Sequence, residues 1–309
     1  MIAILQQVAP FFALIVLGVI AERGRWLGRE GIAALNRFVF YLALPALLLR
    51  AFGTKPPQEV FNLPFMGAYA LAGLGVFALT TAAARSLGHS YTAAAFQGQA
   101  AVTPNNGFLA LPLLVGLLGE AVALPVGLAL VVDLTLVVVV TLTVVAFDRG
   151  GGLATNLYRA GSGLVTHPVV VAIAVGLGWS LLQLPMPLWL DHFTGLLAPA
   201  AAPVALFALG ATLGARAGLG DFWGALGISG LKLLVHPLAI AIALWALLPD
   251  LESLWYRATV MVGAMPVAAN VYLFAAQYDA KPQLIAAAIT VSTAASLVTI
   301  TALAGWLLP

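Results

Sequence analysis

The chain has 309 residues, of which 62% are hydrophobic and only 8% are charged. A soluble domain is roughly 45–50% apolar and about 25% charged. The composition of this chain therefore excludes a soluble domain and indicates that most of it lies in a lipid bilayer. The basic residues are scattered and form no basic face with interleaved aromatics, so nucleic acid is excluded as a binding partner. Cysteine is absent, so disulfides, thiolate nucleophiles and cysteine-based metal sites are excluded as well.

Apolar stretches recur at the length of a membrane helix, which is about 20 residues for a hydrocarbon core of about 30 Å. Their apolar residues are consecutive rather than alternating, which indicates helices. The sequence therefore predicts an all-α polytopic membrane protein with ten transmembrane helices. The predicted spans are 4–21, 32–52, 63–86, 94–118, 123–147, 165–182, 196–216, 224–248, 257–279 and 283–307.

The distribution of basic residues predicts the orientation of these spans. The loops after odd-numbered spans hold Arg23, Arg25, Arg29, Arg37, Arg85, Arg149, Arg159, Arg216 and Lys281. The opposite side holds only Arg50, Lys55 and Arg257. Because cytoplasmic loops are enriched in Lys and Arg, both termini are expected in the periplasm of a bacterial inner-membrane protein.

The two halves of the chain show a weak internal repeat. The run that begins at Pro10 aligns with the run at Pro168, and Pro45 aligns with Pro203 at the same offset. Pro104 in span four meets Pro266 in span nine at nearly the same offset. Five spans per repeat is an odd number, so the second copy must be inverted, as in many secondary transporters.

Spans four and nine are predicted to be broken in the middle. Span four contains Pro104-Asn105-Asn106-Gly107, and span nine contains Pro266 with Asn270 four residues later. Proline removes a backbone donor, and irregular backbone survives in a membrane only when it is buried in protein or faces a wet cavity. The two breaks are therefore expected to face each other.

The positive ends of the half-helices would then meet at the centre, where their free N–H groups and the asparagine side chains would act as donors. The predicted substrate site comprises Pro104, Asn105, Asn106, Gly107, Pro266 and Asn270, and it would suit a carboxylate or another small anion. The alternative is a pair of proline kinks relaxed by neighbouring helices, with the asparagines bonded across helices.

Two ionisable side chains fall inside predicted spans, where a charge is costly. Asp133 would accept a proton or sodium ion, and Lys232 would be its counter-ion or a substrate anchor, with His236 on the same helical face. A static buried ion pair, or a lysine that reaches the interface, is the alternative. No HExxH, GxSxG or P-loop motif and no metal-ligand cluster is present, so no enzyme activity is predicted.

Span ten carries a stripe of hydroxyl side chains. Thr293 is included among the residues that would couple ion movement to transport, together with Asp133, Lys232 and His236. Oxygen atoms near Asn105, Asp133 and Ser292 would suit sodium, whereas packing between helices explains the stripe equally well. No cofactor is expected, and H⁺ or Na⁺ is the candidate coupling ion.

Several short runs in spans two, four and seven resemble the bacterial auxin efflux carrier family. The runs are Leu44-Pro45-Ala46-Leu47-Leu48, Asn106-Gly107-Phe108-Leu109-Ala110-Leu111-Pro112 and Pro203-Val204-Ala205-Leu206-Phe207-Ala208-Leu209-Gly210. The resemblance covers essentially the whole chain and implies the crossover fold of bile-acid/sodium symporters. It implies a scaffold domain at 1–52 and 165–216, a transport domain at 63–147 and 224–309, and an elevator-type motion. It also implies a homodimer formed through the scaffold helices.

The leading prediction is a proton- or potential-driven secondary active transporter of a small organic anion, such as an auxin-like compound or a dicarboxylate. A sodium-coupled organic-anion symporter is one alternative. Two further alternatives belong to other functional classes. One is a channel for a small anion, and the other is a membrane receptor that binds the anion without moving it. A channel would need a continuous polar pore, and few spans carry a polar stripe.

Overall fold

A computed structural model describes residues 2–149, 158, 166–214 and 221–307. The described residues are helical, and their only strand-like feature is a single antiparallel bridge between Pro104 and Val267. Arg159, Arg216 and the first residue of the predicted span 165–182 lie outside the described residues.

The helices discussed below are numbered in chain order. They are α1 (Ile2–Arg23), α2 (Glu30–Gly53), α3 (Leu63–Ser86), α4 (Tyr91–Val102), α5 (Asn106–Leu118), α6 (Glu120–Arg149), α7 (Pro168–Leu181), α8 (Leu188–Leu213), α9 (Phe222–Leu247), α10 (Ser253–Gly263), α11 (Ala269–Gln277) and α12 (Pro282–Leu307). A short helix, Pro57–Val60, precedes α3.

Six of the described helices are long and apolar enough to cross a membrane. They are Glu30–Gly53, Pro57–Ser86 (the short helix together with α3), Glu120–Arg149, Leu188–Leu213, Phe222–Leu247 and Pro282–Leu307. Asn106–Leu118 and Pro168–Leu181 are apolar but shorter. This arrangement agrees with a polytopic membrane protein, in which helices satisfy their own backbone polar groups.

One predicted boundary was wrong. Span seven was expected to begin at residue 196, which placed His192 in a loop, but α8 begins at Leu188 and contains His192. Pro187 immediately precedes the helix with a φ of −58°. That fixed φ matches the φ of a helix, so Pro187 favours a helix start directly after it. Hydropathy alone placed the start eight residues later, at residue 196.

Four π-helical turns widen the long helices, at Val39–Ala43, Asn106–Ala110, Asp133–Val137 and Leu231–Val235. Three of them end two residues before a proline, namely Pro45, Pro112 and Pro237. Proline lacks the N–H that would continue the α-helical ladder, which explains the wider turn before it. The turn at Asp133 has no such proline.

The chain divides into two compact units. The first unit contains Met1–Asn62, Gly107–Leu128 and Val165–Ala217. The second contains Leu63–Asn106, Ala129–Leu164 and Gly218–Pro309. The predicted division differs over residues 107–128, which contact the first unit: a Cβ on Gly127 would meet the Phe52 ring at 2.5 Å. The assignment of segments to a scaffold and a transport domain stays a prediction.

In the first unit, α1 packs against α8 with almost no space between their backbones. A Cβ added to Gly18 would collide with the carbonyl of Phe207, and one on Gly210 would collide with the carbonyl of Ile15. Small residues at such contacts let membrane helices approach closely. At one end of this unit, Arg50 forms an ion pair with Asp191 at 2.6 Å.

The second unit holds both helix interruptions. Residues 103–105 separate α4 from α5, and residues 264–268 separate α10 from α11. Two buried apolar clusters lie in this unit, one around Phe96, Val267 and Ile285 and the other around Phe77 and Val102. These clusters hold the segments that carry the candidate site.

Candidate functional site

The two interruptions, here called the paired breaks, are hydrogen-bonded to each other. The Asn105 N–H donates to the Pro266 carbonyl at 2.8 Å, and the Ala268 N–H donates to the Thr103 carbonyl at 3.0 Å. These bonds form the antiparallel bridge between Pro104 and Val267. Because unpaired backbone groups are costly in hydrocarbon, each break satisfies polar groups that the other leaves open.

A third bond ties the paired breaks to α12. The Val267 N–H donates to the Ser292 hydroxyl oxygen at 3.1 Å, and that hydroxyl donates to the Ile289 carbonyl at 3.2 Å. Ser292 is fully buried. Sequence reasoning expected free backbone donors at this point, but the N–H groups of Asn105, Val267 and Ala268 are already used.

Asn106 and Asp133 are in direct contact. The Asn106 Nδ2 donates to the Asp133 Oδ2 at 2.7 Å, and both side chains are buried. The Tyr69 hydroxyl lies 3.2 Å from Oδ1 and 3.1 Å from Oδ2 of the same carboxylate. These hydrogen bonds offset part of the solvation that the carboxyl group loses on burial.

Lys232 and His236 form a second buried group on α9. The Lys232 ammonium donates to the Gly263 carbonyl at 2.5 Å and lies 3.1 Å from the His236 Nδ1. Both side chains are completely buried. The charges of Lys232 and Asp133 attract each other, and the Tyr69 and His236 rings pack edge to face at 6.2 Å. The polar groups of α3, α6 and α9 therefore form one buried network.

Several buried oxygens near the paired breaks have no hydrogen-bond partner in the described part of the chain. They are the Gln99 Oε1, Thr103 Oγ1, Asn106 Oδ1 and Asn270 Oδ1. Gln99 lies one helical turn before Thr103, and Asn270 is the second residue of α11. Unsatisfied buried polar atoms are rare in native proteins, and they mark places where a ligand, ion or water is expected to bind.

The remaining predicted site residues lie elsewhere. Gly107 belongs to the first unit, where a Cβ would contact Leu44 and Phe40 at 3.6 Å. The Thr293 hydroxyl donates to the Ile289 carbonyl of its own helix at 2.6 Å. Thr290 likewise bonds within α12, to the Ala286 carbonyl. Of the hydroxyl stripe, only Ser292 serves the paired breaks directly.

Sequence reasoning missed Tyr69, Gln99 and Thr103. Tyr69 is one aromatic residue in an apolar span, so nothing in its sequence context distinguishes it from a residue of an interfacial belt. Gln99 carried a usable signal, because an uncharged amide in the middle of a membrane helix needs a partner. Asp133, Lys232 and His236 were predicted as a group, and the contact between Lys232 and His236 confirms their shared face.

Comparison with known proteins identifies the class to which this fold and site belong. A family model described as "Membrane transport protein" matches residues 3–156 and 157–304. The chain belongs to this membrane transport protein family, which confirms the resemblance to auxin efflux carriers.

Two relatives match over nearly the whole chain. A protein of Rhizobium meliloti (strain 1021) named "Putative malonate transporter" is 31% identical over 300 residues, covering 96% of this chain and 93% of the relative. An "Uncharacterized transporter" of Methanothermobacter thermautotrophicus is 26% identical over 298 residues, covering 96% of this chain and 95% of the relative. Both names describe transport rather than catalysis.

Proposed function

We propose that this chain is a secondary carrier that moves a small carboxylate such as malonate across the bacterial inner membrane. The observation that carries the proposal is the set of buried, unpartnered side-chain oxygens beside the paired breaks. A membrane transporter needs a polar site that protein alone leaves incomplete, and such sites lie at broken helices near the bilayer midplane. The name of the Rhizobium meliloti relative supports malonate as the first cargo to test.

The cargo would bind between the side chains of Asn105, Asn106 and Asn270, with Pro104 and Pro266 shaping the backbone. Asn270 lies in the first turn of α11, where the positive end of the helix favours an anion. The Asp133 network would couple the movement of cargo to H⁺ or Na⁺, because its buried carboxyl group is hydrogen-bonded to Asn106. Asn105, Asp133 and Ser292 would supply oxygen ligands if the ion is sodium.

The architecture that we propose has ten transmembrane helices in two inverted five-helix repeats, with α4–α5 and α10–α11 as the crossing pair. Spans 1–52 and 165–216 would form the scaffold, and 63–147 and 224–309 the transport domain. We propose an elevator motion of the transport domain, a homodimer through the scaffold, and both termini in the periplasm. The hydrogen bonds between the paired breaks support movement of both crossing helices as one body.

The test measures currents from proteoliposomes on a solid-supported membrane, with malonate, succinate and indole-3-acetate, each with and without sodium. Asn270→Ala should reduce the malonate response about tenfold or more, since a hydrogen bond to a charged group contributes about 1.5–3 kcal/mol. The matched control is Asn36→Ala, which removes another unpartnered amide oxygen in the first unit.

Three outcomes decide the proposal. A malonate response that Asn270→Ala reduces and Asn36→Ala leaves intact supports it. Full currents in Asn270→Ala would place the cargo elsewhere. Wild-type protein that responds to no carboxylate under any ion gradient would show that the proposed function itself is wrong.

A further inference from the structure

The unpartnered oxygens beside the paired breaks can all accept hydrogen bonds. Gln99 Oε1 and Asn106 Oδ1 are amide oxygens that only accept hydrogen bonds, whereas the Thr103 hydroxyl can both donate and accept. The three residues are 1%, 2% and 3% exposed, respectively, and none of these oxygens has a partner within the described ranges. A ligand that donates a hydrogen bond would satisfy such oxygens, whereas an ionised carboxylate can only accept.

The orientation of the Asn106 amide is fixed by its neighbour. Its Nδ2 donates to the Asp133 Oδ2 at 2.7 Å, which leaves the amide oxygen without a partner in the described part of the chain. Tyr69 donates to the same carboxylate from α3. Lys232 on α9 adds its positive charge, and His236 packs against Tyr69. With this network intact, the Asn106 Oδ1 has no partner among the residues that the structure describes and the Nδ2 has one further N–H, so the amide can both accept from and donate to a cargo.

We propose that the site takes the monoanion of a dicarboxylic acid, with its undissociated carboxyl group donating to the Asn106 Oδ1. The other end of the cargo, an ionised carboxylate, would be bound by the Thr103 hydroxyl and the first turn of α11. A dianion would bring a second carboxylate against an acceptor oxygen and towards the Asp133 carboxylate, and both contacts are repulsive. This inference rests on the proposed function and names the form of its cargo.

Two malonate derivatives separate donor from acceptor at the second end of the cargo. Malonamate carries one carboxylate and an amide N–H donor, whereas monomethyl malonate carries one carboxylate and an ester that only accepts. Both are monoanions near neutral pH, so net charge does not differ. Purified protein should bind malonamate about tenfold or more tightly than the ester, measured by ligand-dependent thermal shift and by competition with malonate currents.

The pH dependence gives an independent readout. Malonate binding should strengthen as the pH is lowered towards the range where its monoanion predominates. Malonamate has no second carboxyl group, so its binding should change much less over the same range. The comparison cancels any effect of pH on Asp133, Tyr69, Lys232 or His236, since both ligands meet the same protein.

A pair of variants tests the role assigned to Asp133. Asp133→Asn replaces the acceptor-only carboxylate with an amide whose NH₂ can donate to the Asn106 oxygen. The Asn106 amide should then turn its own NH₂ to the cargo, so the preference should shift from malonamate towards monomethyl malonate. Tyr69→Phe is the matched control, because it removes a hydrogen bond to Asp133 yet leaves the carboxylate an acceptor only.

Malonamate bound more tightly than the ester, with that preference lost in Asp133→Asn and kept in Tyr69→Phe, supports the inference. Equal binding of the two derivatives by the wild type overturns it, whatever the variants do. Sodium that raises ester binding to the level of malonamate also overturns it, because the oxygens would then hold a cation. Failure of all three ligands to bind would instead contradict the proposed carboxylate function.

Discussion

Lys232 is a fully buried cation whose partners are all within the second unit. Its amino group donates to the Gly263 carbonyl, lies beside the His236 Nδ1 and interacts electrostatically with Asp133. Removing one member of a buried charge pair leaves the other uncompensated, which typically costs about 3–5 kcal/mol. The charge at Lys232 therefore stabilises the fold through its effect on Asp133, whether or not it contacts cargo.

We expect Lys232→Met to lower the free energy of unfolding by about 3–5 kcal/mol, seen as a lower melting temperature of the purified protein. Adding Asp133→Asn should recover part of this loss, since the unpaired carboxylate is then gone. The control Lys55→Met removes an exposed ion pair with Glu59 at 3.3 Å and should change little. Strictly additive losses in the double variant would contradict an electrostatic coupling between Lys232 and Asp133.

For individual residues, the sequence points to site side chains through the free-energy cost of placing a polar or charged group inside a membrane span. Asp133 and Lys232 stand out because charged residues are rare inside apolar spans. Asn106 stands out because it lies two residues after Pro104 within such a span. Which of them touch could not be predicted, since α3, α6 and α9 meet only through tertiary packing. Tyr69 went unnoticed for the same reason: its hydroxyl matters only because Asp133 lies beside it.

Among the elements, α12 has a specific role in supporting the paired breaks. Ser292→Ala should leave the Val267 N–H without an acceptor and cost about 1–3 kcal/mol. The matched control is Ser296→Ala, whose equally buried hydroxyl donates only to the Thr293 carbonyl of its own helix. Thermal unfolding measures the loss, and hydrogen exchange should increase at residues 264–270 in the first variant only. Equal effects of the two substitutions would argue against this role.

The positions of the breaks follow from the sequence, whereas the bonds that join them do not. Proline within an apolar run predicts an interruption at Pro104 and at Pro266, and both helices stop there. The bridge uses backbone groups of Thr103, Asn105 and Ala268, and backbone groups leave no signature in side-chain identity. The orphan donors expected from helix geometry were therefore assigned to cargo, although the opposite break had already taken them.

For the whole molecule, the absence of cysteine allows the topology to be measured directly. Leu87 is 76% exposed in the turn between α3 and α4, and Glu252 is exposed just before α10. With ten spans and periplasmic termini, a membrane-impermeant maleimide should label Glu252→Cys in intact spheroplasts. Leu87→Cys should be labelled only after permeabilisation, and the parent chain should not be labelled at all.

The opposite labelling pattern would invert the orientation that the basic residues predict. Labelling of both positions from outside would instead contradict the number of spans between them. Hydropathy and charge can predict the number and orientation of the spans, because both properties are read from short stretches of neighbouring residues. The compact units could not be predicted in the same way, because residues 107–128 are assigned by packing, as the contact of Gly127 with Phe52 shows.

The bridge between the paired breaks also sets an order of events during biosynthesis. When α4 and α5 emerge from the ribosome, the bridge to Thr103 and Asn105 cannot yet form, because Pro266 and Ala268 lie in the other half of the chain. Ser292, which holds Val267, is made later still. The first break must therefore stay in contact with water or with other protein until the last helix is inserted. A nascent chain stalled before α12 would lack the Ser292 hydroxyl that accepts from the Val267 N–H.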